Sequence, residues 1–271
     1  MACRPDPRVG IFIAGHEFGM RLIAWNCKGA FHRKESLIRT LEPDVLVVPE
    51  CEKPRTIQRS FDSSPVRSFE WFGKNPAKGI AAVSYGKYSL KVHADYEPRH
   101  EWIVPLVVSG PRTFVLFAVW TIPLGSQGGR YVRPLFEALE SYEHLIRDTP
   151  SVWAGDFNAN VIWDTPRRPY KFREFADRLA AHDIRSIYHE ERGCEHGKET
   201  DPTFYLHHRV NRPYHLDFVF ASRRLQPGGV RISIGSHEEW AKHSDHTPVI
   251  CDFVRRTPSR HAVVRTRSLG R

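Results

Sequence analysis

The chain reads as an α+β protein built on mixed β-sheets, and three observations point there. Eight apolar runs have the length of strands: Arg21–Asn26, Asp44–Pro49, Ile80–Ser84, Trp102–Val108, Phe114–Trp120, Ser151–Ala154, His215–Ala221 and Thr247–Phe253. Only three segments carry a helical pattern, at about Phe31–Leu41, Arg130–Ile146 and Tyr170–His182. Strands grouped with so few helices between them argue for mixed sheets rather than a doubly wound parallel one. Finally, 271 residues at 41% hydrophobic content can bury one large core, and α/β chains of this size often form a single domain.

Taken in order, each element has its own warrant. Leu22-Ile23-Ala24, Val45-Leu46-Val47-Val48 and Val152-Trp153-Ala154 are short continuous apolar runs, the pattern of strands buried on both faces. In the third helical segment Phe172, Phe175, Ala176 and Leu179 follow the i, i+3, i+4, i+7 rule for one buried face. No internal repeat or low-complexity linker divides the chain. The domain is expected over 20–254, with 1–19 as a flexible extension (Met20 standing as an alternative start) and 255–271 as a basic flexible tail.

Composition narrows the function. No run approaches the ~18 apolar residues of a membrane span, and Val9–Gly15 is too short for a convincing signal-peptide core. Five cysteines without a Cys-x-x-Cys pair argue against a disulfide framework, and hence for a cytoplasmic protein. The net charge of +9 tempts one toward nucleic acid, but six of those charges are the arginines of 255–271. Only +3 remains over the first 254 residues. The tail therefore supports a polyanionic partner weakly.

Four polar motifs sit at the ends of apolar runs: Trp25-Asn26, Pro49-Glu50, Gly155-Asp156-Phe157-Asn158 and Ser244-Asp245-His246. Carboxylates and carboxamides at neighbouring strand ends can converge, and a cluster of hard oxygen donors holds a divalent cation. A histidine beside the last aspartate adds a donor for a phosphate oxygen. Each motif has a bland reading: a solvated carboxylate for Glu50, turn chemistry for Asp156 and Asn158, a cap for Asp245-His246. Together and in order they favour metal-assisted phosphodiester hydrolysis.

With Leu216-Asp217-Phe218 added, the series resembles the endonuclease/exonuclease/phosphatase superfamily over about Arg21 to Val254. The resemblance implies a DNase I-like four-layer α/β sandwich, two packed mixed β-sheets flanked by helices. It implies Mg²⁺ or Mn²⁺ as cofactor, with Glu50 as principal metal ligand and Asn26 and Asp245 beside it. Asp156 would activate the attacking water, Asn158 would hold the phosphate, His246 would stabilise the charged transition state, and Asp217 would orient His246. The implied activity is a nuclease on DNA or RNA, expected as a monomer. A phosphatase or phosphodiesterase on a phospholipid head group or small phosphoester is the alternative, and a non-catalytic nucleic-acid-binding module a further one.

Two departures from the family pattern bear on that reading. Lys28 stands where an acid or asparagine is usual, and Glu52 where the nucleases carry a lysine. Both follow a site residue by two positions, so alternation predicts that they pair and that Lys28 reaches a substrate phosphate. Trp120 falls where the nucleases supply a proton donor, and an indole N–H cannot release a proton at useful pH. His93 or His100 would have to substitute, or a metal-bound water. Cys27 and Cys51 read as buried thiols. His189, Cys194, His196 and His207-His208 match no structural zinc spacing and read as loop residues.

Overall fold

The computed structural model describes residues 18–53, 65–123 and 131–255. The extension at 1–17 and the tail at 256–271 lie outside the described residues, and the first strand begins at Phe18. In chain order, β1 (Phe18–Ala24), β2 (Val45–Cys51), β3 (Val66–Asn75) and β4 (Lys78–Tyr85) enter a first sheet. A second sheet takes β5 (Ser89–Val92), β6 (Ile103–Ser109), β7 (Phe114–Trp120), β8 (Ser151–Asp156) and β9 (Ile184–Ser186). After a small hairpin of β10 (Phe204–Tyr205) and β11 (Pro213–Tyr214), β12 (Asp217–Ser222) completes the second sheet. β13 (Val230–Ile234) and β14 (Val249–Val254) complete the first. The orders are β13-β14-β1-β2-β4-β3 and β5-β6-β7-β8-β12-β9. Each sheet holds one parallel pair, β1–β2 or β7–β8, among antiparallel ones. These are two mixed sheets of the DNase I-like kind.

Period-2 alternation sorts the apolar side chains into layers. Met20, Leu22 and Ala24 of β1 meet Leu116, Ala118, Val152 and Ala154 of the second sheet in the central core. Ile23 and Trp25 point the other way, where Phe31, Ile38 and Trp240 cover them. On the far side, α2 (Arg133–Asp148) and α3 (Phe172–Ala181) bury Leu135, Leu139, Tyr142, Phe175 and Leu179 against Phe117, Trp153 and Phe220. Each such side chain stabilises the fold by about 1.5–3 kcal/mol. Both faces of the central strands are therefore dry, which is why they read as continuous apolar runs.

Local structure departs from the sequence expectations in a few places. The segment Phe31–Leu41 is a 3₁₀ turn, Phe31–Arg33, followed by α1 (Glu35–Arg39), not one helix. Ala30 at φ 52° starts it, and the Glu52 carboxylate accepts from the Phe31 and His32 amides at 2.7 and 2.8 Å, fixing the turn. The strands absent from the sequence reading are short or at sheet edges. β3 is half-buried along most of its length, so it shows neither an apolar run nor clean alternation. Cys27, Cys51 and Cys251 are buried free thiols, whereas Cys194 is disulfide-bonded, which the odd cysteine count did not lead us to expect. Among the described residues no helix is long and apolar enough to cross a membrane.

One glycine carries a steric demand. Gly155 has φ 138°, and a Cβ there would lie 1.9 Å from the Val119 carbonyl oxygen of the parallel neighbour β7. Gly155→Ala is therefore expected to destabilise the protein by about 2 kcal/mol or more, since it combines strained backbone with overpacking. Urea unfolding checks this. An unchanged midpoint would show that β7 and β8 can separate locally without cost.

Candidate active site

The site forms where strand ends from both sheets meet. Parallel pairing of β1 with β2 carries past the strands, through Trp25 N to Val47 O at 2.9 Å and Cys27 N to Pro49 O at 3.1 Å. It brings Asn26 beside Glu50, whose Oε1 accepts from Asn26 Nδ2 at 3.3 Å. Glu50 lies at an irregularity in the β2–β4 register and has φ 59°, a conformation unfavourable for a residue with a side chain. The kink lets Glu50 and Cys51 break strict alternation. In the second sheet, the register pairs Asp156 with Asp217 across β8–β12 and with Trp120 across β7–β8.

Asp156 is the hub. Its Oδ2 accepts from Asn26 Nδ2 at 2.9 Å and Asn158 Nδ2 at 2.8 Å, and its Oδ1 from the Asn158 amide at 2.9 Å. Asn158, at φ 45°, also donates to Thr121 O at 3.0 Å, while the Thr121 hydroxyl donates to Phe157 O. Asparagine tolerates that left-handed conformation better than most residues. His246 Nε2 lies 4.0 Å from Asp156 Oδ2, and its Nδ1 is 2.8 Å from Asp217 Oδ2. The carbonyl-side groups are held as well: Ser244 Oγ donates to Asn26 O at 2.8 Å and accepts from His246 N at 3.0 Å. Thr203 Oγ1 accepts from the Leu216 and Asp217 amides.

Burial sets the electrostatics. It pushes the Asp156 carboxyl above its ordinary range; the His246 charge pulls it back, and Asp217 adds to the rise. Burial works against a charged His246, but Asp217 and Asp156 together overcome it and raise the imidazole to about 9. Asp217 has its Oδ1 buried without a hydrogen-bond partner among the described residues, so His246 is its principal counter-charge. Asp245 is held below its usual value: burial opposes this, and the Lys28 hydrogen bond with the nearby His246 prevails.

Two lysines close the site on its open side. Lys28 Nζ lies 2.7 Å from Asp245 Oδ2 and 2.8 Å from His208 Nε2, and Lys78 Nζ lies 2.8 Å from Glu50 Oε2. Lys78 also sits 5.6 Å from the centroid of the Trp120 ring, which packs edge-on against Trp102. The expected Lys28–Glu52 pair does not form. Glu52 binds the His32 ring at 2.6 Å as well as the two amides. Lys28 at φ 53° and Glu50 at φ 59° interrupt the extended backbone, so a spacing of two no longer means a shared face. His100 contacts Ser141 and Tyr142 of α2, and the His93 ring accepts from the Asp95 amide; neither contact is with this cluster. Lys78, His208, Thr203 and Ser244 were given no role from the sequence. Only Ser244 carried a signal there, as part of its motif, because the others depend on strand pairing and loop closure.

The donor set fits a hard divalent cation. Asn26, Glu50 and Asp245 offer oxygens, and the Glu50 and Asp245 side chains keep 20% and 15% of their surface open to solvent. The Asp156–Asp217–His246 cluster, by contrast, is wholly buried and internally paired, a poor host for a hydrated ion.

The Endonuclease/Exonuclease/phosphatase family model matches residues 23–261. The chain belongs to that family. Its members are hydrolases acting on phosphoester bonds and generally use divalent metals. Solved structures share the fold: a 3'-5' exonuclease from Neisseria meningitidis has a TM-score of 0.66 at 17% identity, over 87% of this chain and 100% of that one. An AP endonuclease from Archaeoglobus fulgidus gives 0.63 at 16%, over 86% and 99%. A Neisseria 3' phosphatase bound to a product DNA hairpin gives 0.67 at 15%, over 88% and 100%. Among curated proteins none matches the chain significantly. At such identities the structural likeness concerns the fold alone.

The pairing of His246 with Asp217 makes a direct prediction for the metal-free protein. NMR titration of the His246 ring should give a midpoint near 9, and Asp217→Asn should lower it by about 1–3 pH units. A folded-state value above the unfolded one means that this contribution to stability is full below about 6.5 and is lost as pH rises through about 9. A midpoint that Asp217→Asn leaves in place would show that the charge comes from elsewhere.

Proposed function

We propose that the protein is a divalent-metal-dependent phosphodiesterase, a nuclease acting on DNA or RNA with Mg²⁺ or Mn²⁺. The observation that carries this reading is the convergence of Asn26, Glu50, Asp156, Asn158, Asp217, Asp245 and His246 at one end of the two sheets. Asn26, Glu50 and Asp245 would hold the metal, which when bound polarises the scissile phosphate and offsets its charge. Asp156 aligns the attacking water and takes its proton; burial raises its basicity toward the working pH. Asn158, already fixed by Thr121 and Asp156, presents its amide to a phosphate oxygen. His246, kept cationic by Asp217, stabilises the charge that gathers on the phosphorus oxygens.

Lys28 is read as a substrate contact. Its ammonium can leave Asp245 for a phosphate oxygen, because its side chain is 43% exposed on a flexible stem. Glu50→Gln should weaken metal affinity, since a carboxamide lacks the charge that holds a hard cation. Asp156→Asn should lower turnover by ~10²-fold or more, the scale of a lost acid–base group. Parent-like rates in both variants, against single-stranded DNA, duplex DNA, abasic DNA, RNA and a chromogenic phosphodiester, would sink the assignment.

Lys28→Met separates the lysine's two contacts. Freeing Asp245 from an exposed ion pair worth about 0–1 kcal/mol should tighten the apparent metal affinity by at most ~5-fold. Loss of a phosphate contact should raise KM for nucleic acid. Weaker metal binding in this variant would mean that Lys28 supports the ligands rather than competing for them.

A further inference from the structure

Beyond the site just described, a second group of metal-capable side chains lies behind it. His189, in the middle of α4 (Ile187–Arg192), and His196 and Glu199, in the loop that follows, each direct a donor atom into one spot. The three donor atoms lie within 4.8 Å of one another. They come from only eleven residues of chain, and the His189 and Glu199 side chains are 7% and 5% exposed. The same loop leads to Thr203, whose hydroxyl holds the Asp217 amide.

From this geometry we propose that His189, His196 and Glu199 bind a transition-metal ion of the zinc class, tying α4 to the loop behind the active site. Two imidazoles and a carboxylate form a donor set suited to zinc and poorly suited to Mg²⁺. Outer contacts that orient such ligands are already built. His189 Nδ1 meets Ser186 Oγ at 2.7 Å, leaving Nε2 as the inward nitrogen, and the Gly197 amide donates to Glu199 Oε1 at 3.0 Å.

The competing reading is a simple His189–Glu199 ion pair, whose atoms lie 2.9 Å apart. That pair leaves too much unexplained. The His196 ring stacks on His189 with centroids 3.6 Å apart, and its Nδ1 is buried without a hydrogen-bond partner among the described residues. Two stacked imidazoles, one buried and one half-buried, cannot both carry a proton charge at low cost. A shared cation satisfies the unpartnered nitrogen and the carboxylate together. His215 stands nearby, 6.5 Å from His189 between centroids, with Nδ1 given to Asp201 O and Nε2 unpartnered, which adds to the lone-pair character of the pocket.

The test uses the full chain, stripped with a chelator and held in excess Mg²⁺ so that the oxygen-donor site does not report. Titration with Co²⁺ should develop the visible d–d bands of a low-coordinate nitrogen–oxygen site, saturating at one equivalent, and Zn²⁺ should abolish them. Zn²⁺ should also raise the melting temperature. His196→Ala and Glu199→Gln should each weaken zinc by at least the ~10–100-fold that loss of an outer-shell partner costs. Glu50→Gln should leave the bands intact. Absence of the bands in the parent protein overturns the proposal without reference to any variant. So does their survival in a folded Glu199→Gln protein, or their disappearance with Glu50→Gln alone.

Discussion

Along most of their length the two sheets meet through side chains that need nothing but close packing. At one end they are joined differently, by charged and polar groups that water does not reach. Asn26 follows a strand of the first sheet and donates to Asp156 of the second. His246 precedes another strand of the first sheet and pairs with Asp217 of the second. Removing one partner from a buried pair of this kind costs about 3–5 kcal/mol, because the other charge is left uncompensated. The constraint propagates outward: the β8–β12 register must place Asp156 opposite Asp217, Ser244 must hold His246, and Thr203 must hold the Asp217 amide. The geometry of the proposed site and sheet-to-sheet docking are the same set of bonds.

That economy explains where the backbone is strained. Glu50 and Asn158 both adopt positive φ within the site, and Gly155 lies one residue before Asp156 in a conformation that leaves no room for a side chain. A regular strand would send successive residues to opposite faces. The irregularities instead turn Glu50 toward Asn26, and let the Asn158 side chain and amide both reach back to Asp156. Left-handed conformations cost of order 1–3 kcal/mol each and persist only where the surroundings impose them. Here the surroundings are the paired strand ends and the hydrogen bonds that hold Glu50 to Asn26 and Asn158 to Asp156 and Thr121.

The strand-end motifs were legible in the sequence because buried strands write continuous apolar runs and the polar residues that end them stand out. Asn26, Glu50, Asp156, Asn158, Asp217, Asp245 and His246 all come to one region of the structure. What the sequence could not carry was pairing between distant segments. Lys78 meets Glu50 only because β4 lies antiparallel to β2, and His208 meets Lys28 across 180 residues. The Lys28–Glu52 pair does not form for the opposite reason: the period-2 rule fails through a stretch where positive φ values break the extended backbone. The spacing of His189, Cys194 and His196 fits no structural zinc pattern, yet a helix and the loop returning from it bring His189, His196 and Glu199 together regardless of spacing.

The lysines bear on how such a site would handle a metal and a polyanion together. Glu50 and Asp245 are each matched by an ammonium at less than 3 Å, and both lysine side chains are close to half exposed. Such pairs are weak and salt-sensitive, so a cation entering the oxygen donors, as proposed, would displace them at little cost. The displaced ammoniums would remain within reach of the site, because Lys28 and Lys78 are tethered to it by their own backbone. On the proposed function, a phosphate arriving there would replace two carboxylates as their partner. On the same reading, the charge that screens the two carboxylates is the same charge that would meet the substrate, and Lys28, standing where the family usually has an acid or asparagine, would serve the other side of that balance.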